Sequence, residues 1–186
     1  MGLADELSKA LSSVVSGAGD VVETTRNVAK DTIIKTLGGS GEVATTAVRT
    51  AGEVVSEGVS VTAGTGASAT QAVTGLVTGA IEGVKEVGGD AGSAATEAAS
   101  GAVKGVAGVG GDVGEAAVSA VAGSIKAAGT IGGDAGQLAK GAVIGSLRAA
   151  DEIGSEAGGI ARKALLNAAA LPHDVIDSLL TGKKAE

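Results

Sequence analysis

Apolar residues recur along this chain at steps of three and four. After Asp112 they fall at Val113, Ala117, Ala120, Val121, Ile125, Ala128 and Ile131, with Ser124 in phase with them. Such spacing winds an apolar stripe along an α-helix, whereas a strand would alternate every second residue. Polar punctuation between the stretches recurs as well. Gly88-Gly89-Asp90 returns as Gly110-Gly111-Asp112 and as Gly132-Gly133-Asp134, a step of 22 residues, with softened copies at Gly66-Ala67-Ser68 and Gly154-Ser155-Glu156. Val87, Val109, Ile131, Ile153 and Val175 close the units, and Lys104, Lys126 and Arg148 share another column. Five units thus span residues 66–175. Residues 1–65 read as diverged helical repeats, and residues 176–186 as a short terminal helix end and a basic tail.

A 22-residue repeat makes six turns at about 3.67 residues each, the hendecad period. The fold class expected is therefore all-α, in one of two forms. One is an array of about 19-residue, Gly/Ala-rich amphipathic helices separated by Gly-Gly-Asp turns. The other is long continuous hendecad helices. The turns are favoured, because Gly-Gly before Asp reads as a helix stop followed by an N-cap. Gly88, Gly89, Gly110, Gly111, Gly132 and Gly133 are the expected turn formers, and Asp90, Asp112 and Asp134 the caps. Capping-box spacing recurs at Asp20 and Glu23, Ser68 and Gln71, Asp112 and Glu115, and Asp134 and Gln137. Turns this short make consecutive helices antiparallel neighbours, so each unit should touch mainly the next, with Lys126 near Asp134.

Glycine inside a helix costs about 1 kcal/mol relative to alanine. Yet Gly79, Gly101, Gly123 and Gly145 hold one mid-helix column. Gly75, Gly79 and Gly83 form a small-xxx-small row. Gly101 with Gly105, Gly123 with Ala127, and Gly145 with Ala149 continue it. Such rows let helix backbones approach closely. In a self-assembling protein, Leu at Gly101 or Gly123 should therefore disrupt assembly more than Leu at Ser119.

Composition narrows function. The 186 residues include 33 Gly and no Phe, Trp, Tyr or Cys. Disulfides and thiolate metal sites are excluded, and no aromatic ring is present to stack a base, sugar or cofactor. With mean hydropathy +0.36 and 19% charged residues, ordinary disorder is disfavoured. The net charge of −7 argues against nucleic-acid partners. His173, beside the single Pro172, reads as a helix boundary before a short helix at residues 174–180, not as part of a triad. No metal-ligand spacing, P-loop or dinucleotide fingerprint appears. The expectation is no enzyme, no catalytic residue, no cofactor, no metal and no small-molecule substrate. The start of the chain carries no signal-peptide pattern, so the expected location is intracellular, with peripheral attachment to a membrane or granule as an alternative. The uncharged run from Gly58 to Ile81 is too rich in Ser, Thr and Gly to read as a membrane span.

The stretches Ala72–Lys85 and Gly101–Gly108 resemble the 11-residue-periodic helices of synucleins and perilipin-type lipid-droplet proteins, and are similar to some late-embryogenesis-abundant proteins. The resemblance covers about half the chain. It implies amphipathic helices that form on lipid or on drying. The chain differs from those families in being acidic overall and in carrying the Gly-Gly-Asp breaks. The leading functional expectation is a non-enzymatic structural protein that self-assembles into a filament, tube, sheet or shell, with itself as partner. It rests on the glycine column and on an apolar stripe that few large side chains could seal. The alternatives are a coat on membrane, lipid-droplet or polymer-granule surfaces, and a stress-protective disordered chain.

Overall fold

The computed structural model describes residues 2–15, 20–38 and 43–182. Among these residues lie nine α-helices: α1 (Leu3–Val15), α2 (Val21–Leu37), α3 (Val43–Ala63), α4 (Ala69–Glu86), α5 (Ala91–Gly108), α6 (Val113–Ile131), α7 (Ala135–Ile153), α8 (Ser155–Asn167) and α9 (His173–Thr181). The chain is all-α. Helices α4 to α7 begin at Ala69, Ala91, Val113 and Ala135, one every 22 residues. Among the described residues no continuous hendecad helix is formed.

The breaks have a local cause. Gly88, Gly110 and Gly132 take left-handed backbone angles, with φ of 87°, 74° and 68°. A side chain there would clash with its own backbone, so glycine is favoured. The next glycine then turns its N–H back into the helix it leaves. Gly89 donates to the Val84 carbonyl and Gly111 to that of Val106, both at 2.8 Å, and Gly133 to that of Ala128 at 2.9 Å. Together with the bond from Gly88 to the Lys85 carbonyl (3.1 Å), this satisfies the last carbonyls of α4 in a Schellman motif. The aspartate then opens the next helix. Asp112 accepts from the N–H groups of Gly114 (2.7 Å) and Glu115 (3.1 Å). Asp134 accepts from those of Gly136 (2.8 Å) and Gln137 (3.1 Å), and Asp90 from that of Ser93 (2.7 Å). A turn between Ala63 and Ala69, with Gly66 at φ 77° and Ser68 as N-cap, cuts the uncharged run in two. No helix among the described residues is long and apolar enough to cross a membrane.

Short turns reverse the chain at each step, but the most extensive contacts are not between consecutive helices. They join helices two apart: α2 with α4, α3 with α5, α4 with α6, and α5 with α7. The even-numbered helices form one layer and the odd-numbered helices the other. Within a layer neighbours run parallel, since Gly52 and Ser56 of α3 face Gly101 and Gly105 of α5 in the same order. Sequential neighbours meet across the layers. A central helix is thus enclosed on several sides, which explains the breadth of its apolar stripe. Leu76, Val77, Ala80, Ile81, Ala98, Ala102, Val121 and Val143 are fully buried. Among the described residues only Val109, Ile144, Ile153, Ile160 and Leu166 are large apolar side chains that stay exposed. The stripe is therefore sealed within one chain, contrary to the expectation that it would lie open.

Two outcomes follow for the turns. Asp112→Ala should cost about 1 kcal/mol in urea unfolding, the worth of a side-chain N-cap. The N–H of Ser93 holds the Asp90 carboxyl below its ordinary range. Its contribution is thus present above the unfolded value of about 3.9 and is lost as pH falls through the depressed folded value. Asp90→Ser should flatten the acid side of a stability-versus-pH curve.

Candidate functional site: the glycine-packed interfaces

The glycines of the repeated mid-helix column and its rows do one job, and it lies between parallel helices. Gly101 faces the backbone of Gly52, Gly105 that of Ser56, Gly123 that of Thr74, Gly141 that of Gly92, and Gly145 that of Thr96. The partner stands 49 residues earlier every time. In α4, Gly75, Gly79 and Gly83 face Val22, Arg26 and Lys30 of α2, 53 residues earlier. The difference of four reflects four residues beyond the 22-residue step between Arg26 and Gly52, about one helical turn. At each place the glycine Cα sits against a carbonyl of the neighbouring helix. A Cβ added at Gly123 would lie 2.7 Å from the Thr74 oxygen, and one at Gly105 would lie 2.9 Å from the Ser56 oxygen. Real side chains do not come that close, and backbone has little room to yield. Ala127 and Ala149 continue the row at the end of their helices and are fully buried.

The receiving face is equally specialised, and the sequence reading missed it. Thr74, Thr78 and Thr96 lie there. Their hydroxyls fold back on carbonyls of their own helix, Thr74 on Thr70 (3.0 Å), Thr78 on Thr74 (2.7 Å) and Thr96 on Gly92 (3.2 Å). The Thr78 hydroxyl also reaches the Gly123 carbonyl across the interface, at 3.0 Å. A compact side chain that satisfies its own polar atom lets the two backbones meet without an orphaned group. The signal in the sequence was a second column of small residues, Gly52, Thr74 and Thr96, each 22 residues after the last. Thr74 and Thr96 stand five positions before Gly79 and Gly101.

Charged side chains border the same contacts. The Arg26 Nε donates to both carboxylate oxygens of Glu82, at 3.1 and 2.9 Å. The Glu82 side chain is only 3% exposed, so this pair is bound into the α2–α4 contact. The hydrogen bond to Glu82 raises Arg26 above its ordinary value, and that to Glu86 raises Lys30. Lys30 pairs with Glu86, Lys104 with Glu152, and Arg148 with Glu97, each at 2.7 Å and each between helices two apart. Lys104 lowers the Glu152 carboxyl. No ion pair joins Lys126 to Asp134 among the described residues; between consecutive helices the pair is Arg162 of α8 with Asp151 of α7, at 2.6 Å.

The turn set is separate from these interfaces. Gly88, Gly110 and Gly132 lie open, with nothing near the place a Cβ would occupy. Their role is conformational. Ser119 corrects an expectation. It is 2% exposed, and its hydroxyl has no partner among the described residues. It stands one turn before Gly123 on the docking face, so Leu would be excluded there too. Gly129, with nothing within 4 Å of an added Cβ, is the proper open control. His173 begins α9 directly after Pro172. No group of three or more potential metal ligands occurs among the described residues. The chain matches no protein-family model, no curated protein and no solved structure.

Gly145→Ala and Gly129→Ala should therefore differ in sign. The first should destabilise by about 1–3 kcal/mol through overpacking. The second should stabilise by up to about 1 kcal/mol through helix propensity. Paired thermal melts would decide it.

Proposed function

We propose that this is a non-enzymatic structural protein that associates with further copies of itself. The observation that carries the reading is an apolar rim. Odd-numbered helices end, and even-numbered helices begin, on one side of the array. There Ile153 closes α7, Val113 opens α6, and Ile160 lies near the start of α8. These three line one cleft with Gly154, Ser155, Glu156 and Ala157. Ile153 is 45% and Ile160 43% exposed, and Val109, which follows α5 on the same side, is 43% exposed. Large apolar side chains gathered on an otherwise polar surface favour a protein contact.

Two other readings have less support. A coat on lipid would have to trade the sealed helix contacts for lipid, and mid-helix glycines that gain from close backbone packing gain nothing from acyl chains. A stress-protective disordered chain fits poorly with helices capped at each turn.

Light scattering after gel filtration, with electron microscopy of the purified protein, tests the proposal. The expected result is a mass above one chain. Ile153→Asp should return it to a single chain at unchanged helicity. A wild-type protein that stays monomeric at high concentration would overturn the reading.

A further inference from the structure

Helices α4 and α5 each present two faces. One receives a neighbour's glycine, and the other carries its own, five residues further on: Thr74 and Gly79 in α4, Thr96 and Gly101 in α5. The same count identifies the docking positions of the earlier helices. In α2, Arg26 receives Gly79, and five residues on stands Asp31. Val22 and Lys30 likewise point to Asn27 and Lys35. These three residues are four apart and share one helix face. They stand where α4 has Gly75, Gly79 and Gly83, and all three are exposed. In α3, Gly52 receives Gly101, and five residues on stands Glu57. No helix among the described residues precedes α2 in its layer. Helix α1 does precede α3, but it contributes buried Leu7 and Leu11 in place of a glycine dock.

We propose that Asp31 and Lys35 are stop residues. They close the first face of the α2 layer to any further parallel helix, whether of this chain or of a second copy; Glu57 holds the place of Asp31 in α3, where α1 and not a glycine row packs. Docking brings the helix surface onto a row of carbonyl oxygens. A carboxylate there would meet other acceptors with no donor and no water, a costly burial. Lys35 adds bulk where the later helices have Gly83, Gly105, Ala127 and Ala149.

The other end is closed differently. Twenty-two residues after Gly145 stands Asn167. Helix α8 rests on α6 through Ala164 and Ile160, which pack near Gly114, and not through a glycine row. Head-to-tail filaments need a heterologous contact that repeats without closing, and here the layers offer none. The array is finite by sequence, and any association runs through other surfaces such as the rim. This inference rests on the column geometry, not on the functional reading above, and it stands or falls separately.

The test inserts a second two-helix unit into the full chain after Ser68 and reads amide hydrogen exchange. A copy of residues 69–112, which carries docking glycines, should be accepted and protected as strongly as α4 and α5 themselves. A copy of residues 21–68, which places Asp31 and Glu57 inside the layers, should lose that protection. The same copy carrying Asn27→Ser, Asp31→Gly, Lys35→Ala, Glu57→Gly and Val61→Ala, which gives its first helix the row of Ser119, Gly123 and Ala127 in α6 and its second, with Glu53, a row like that of Glu97, Gly101 and Gly105 in α5, should regain it. The proposal is overturned if the unaltered 21–68 copy is protected as well as the 69–112 copy. It is equally overturned if the glycine-restored copy stays unprotected, or if the 69–112 copy fails, since docking would then not be governed by these positions.

Discussion

The structure depends on one contact: a glycine Cα held against a carbonyl oxygen of the parallel helix two places back. It recurs at Gly79, Gly101, Gly123 and Gly145. A chain without aromatic residues and with little leucine gains modest area per buried side chain. It compensates by bringing helices close, so that many small contacts add up where large side chains would otherwise fill the gap. The helix propensity lost at each glycine, about 1 kcal/mol, is offset only while the neighbour is in place. Folding of the layers is thus coupled from helix to helix, as expected for a linear array of repeats.

The two glycine classes divide the work between local and tertiary structure. Gly88, Gly110 and Gly132 reverse the chain because their backbone angles are left-handed. That reversal puts the docking glycines of each new helix onto the helix two before it. Thr74, Thr78 and Thr96 make the approach possible from the other side by folding their hydroxyls inward. The ion pairs Arg26–Glu82 and Arg148–Glu97 then fix the parallel register at the edge of the contact.

Much of this was legible in the residues, and the remainder was not for a definable reason. Helical periodicity, the break at each Gly-Gly-Asp and the in-register glycine column are properties of one unit and its repeat. Which unit packs on which is not, because a 22-residue period looks the same whether a helix docks on its first or its second predecessor. That ambiguity put Lys126 beside Asp134 and treated the apolar stripe as open. With two layers, the stripe is covered from several sides. The threonine face escaped notice because threonine is an indifferent helix residue in isolation, and its use appears only when Thr78 is seen against Gly123. Ser119 misled for the converse reason: it is polar in sequence but lies on the docking face. Asp31 and Glu57, ordinary surface acids in the sequence, gain meaning only from standing in a glycine column.

The most direct measurement of the central claim is the pattern of nuclear Overhauser contacts from the glycine α-protons in solution. Packing of helices two apart predicts contacts from Gly101 to Gly52, Gly123 to Thr74 and Gly145 to Thr96, all at the same sequence separation. Contacts from these glycines to the immediately preceding helix instead, or none to any helix backbone, would contradict it.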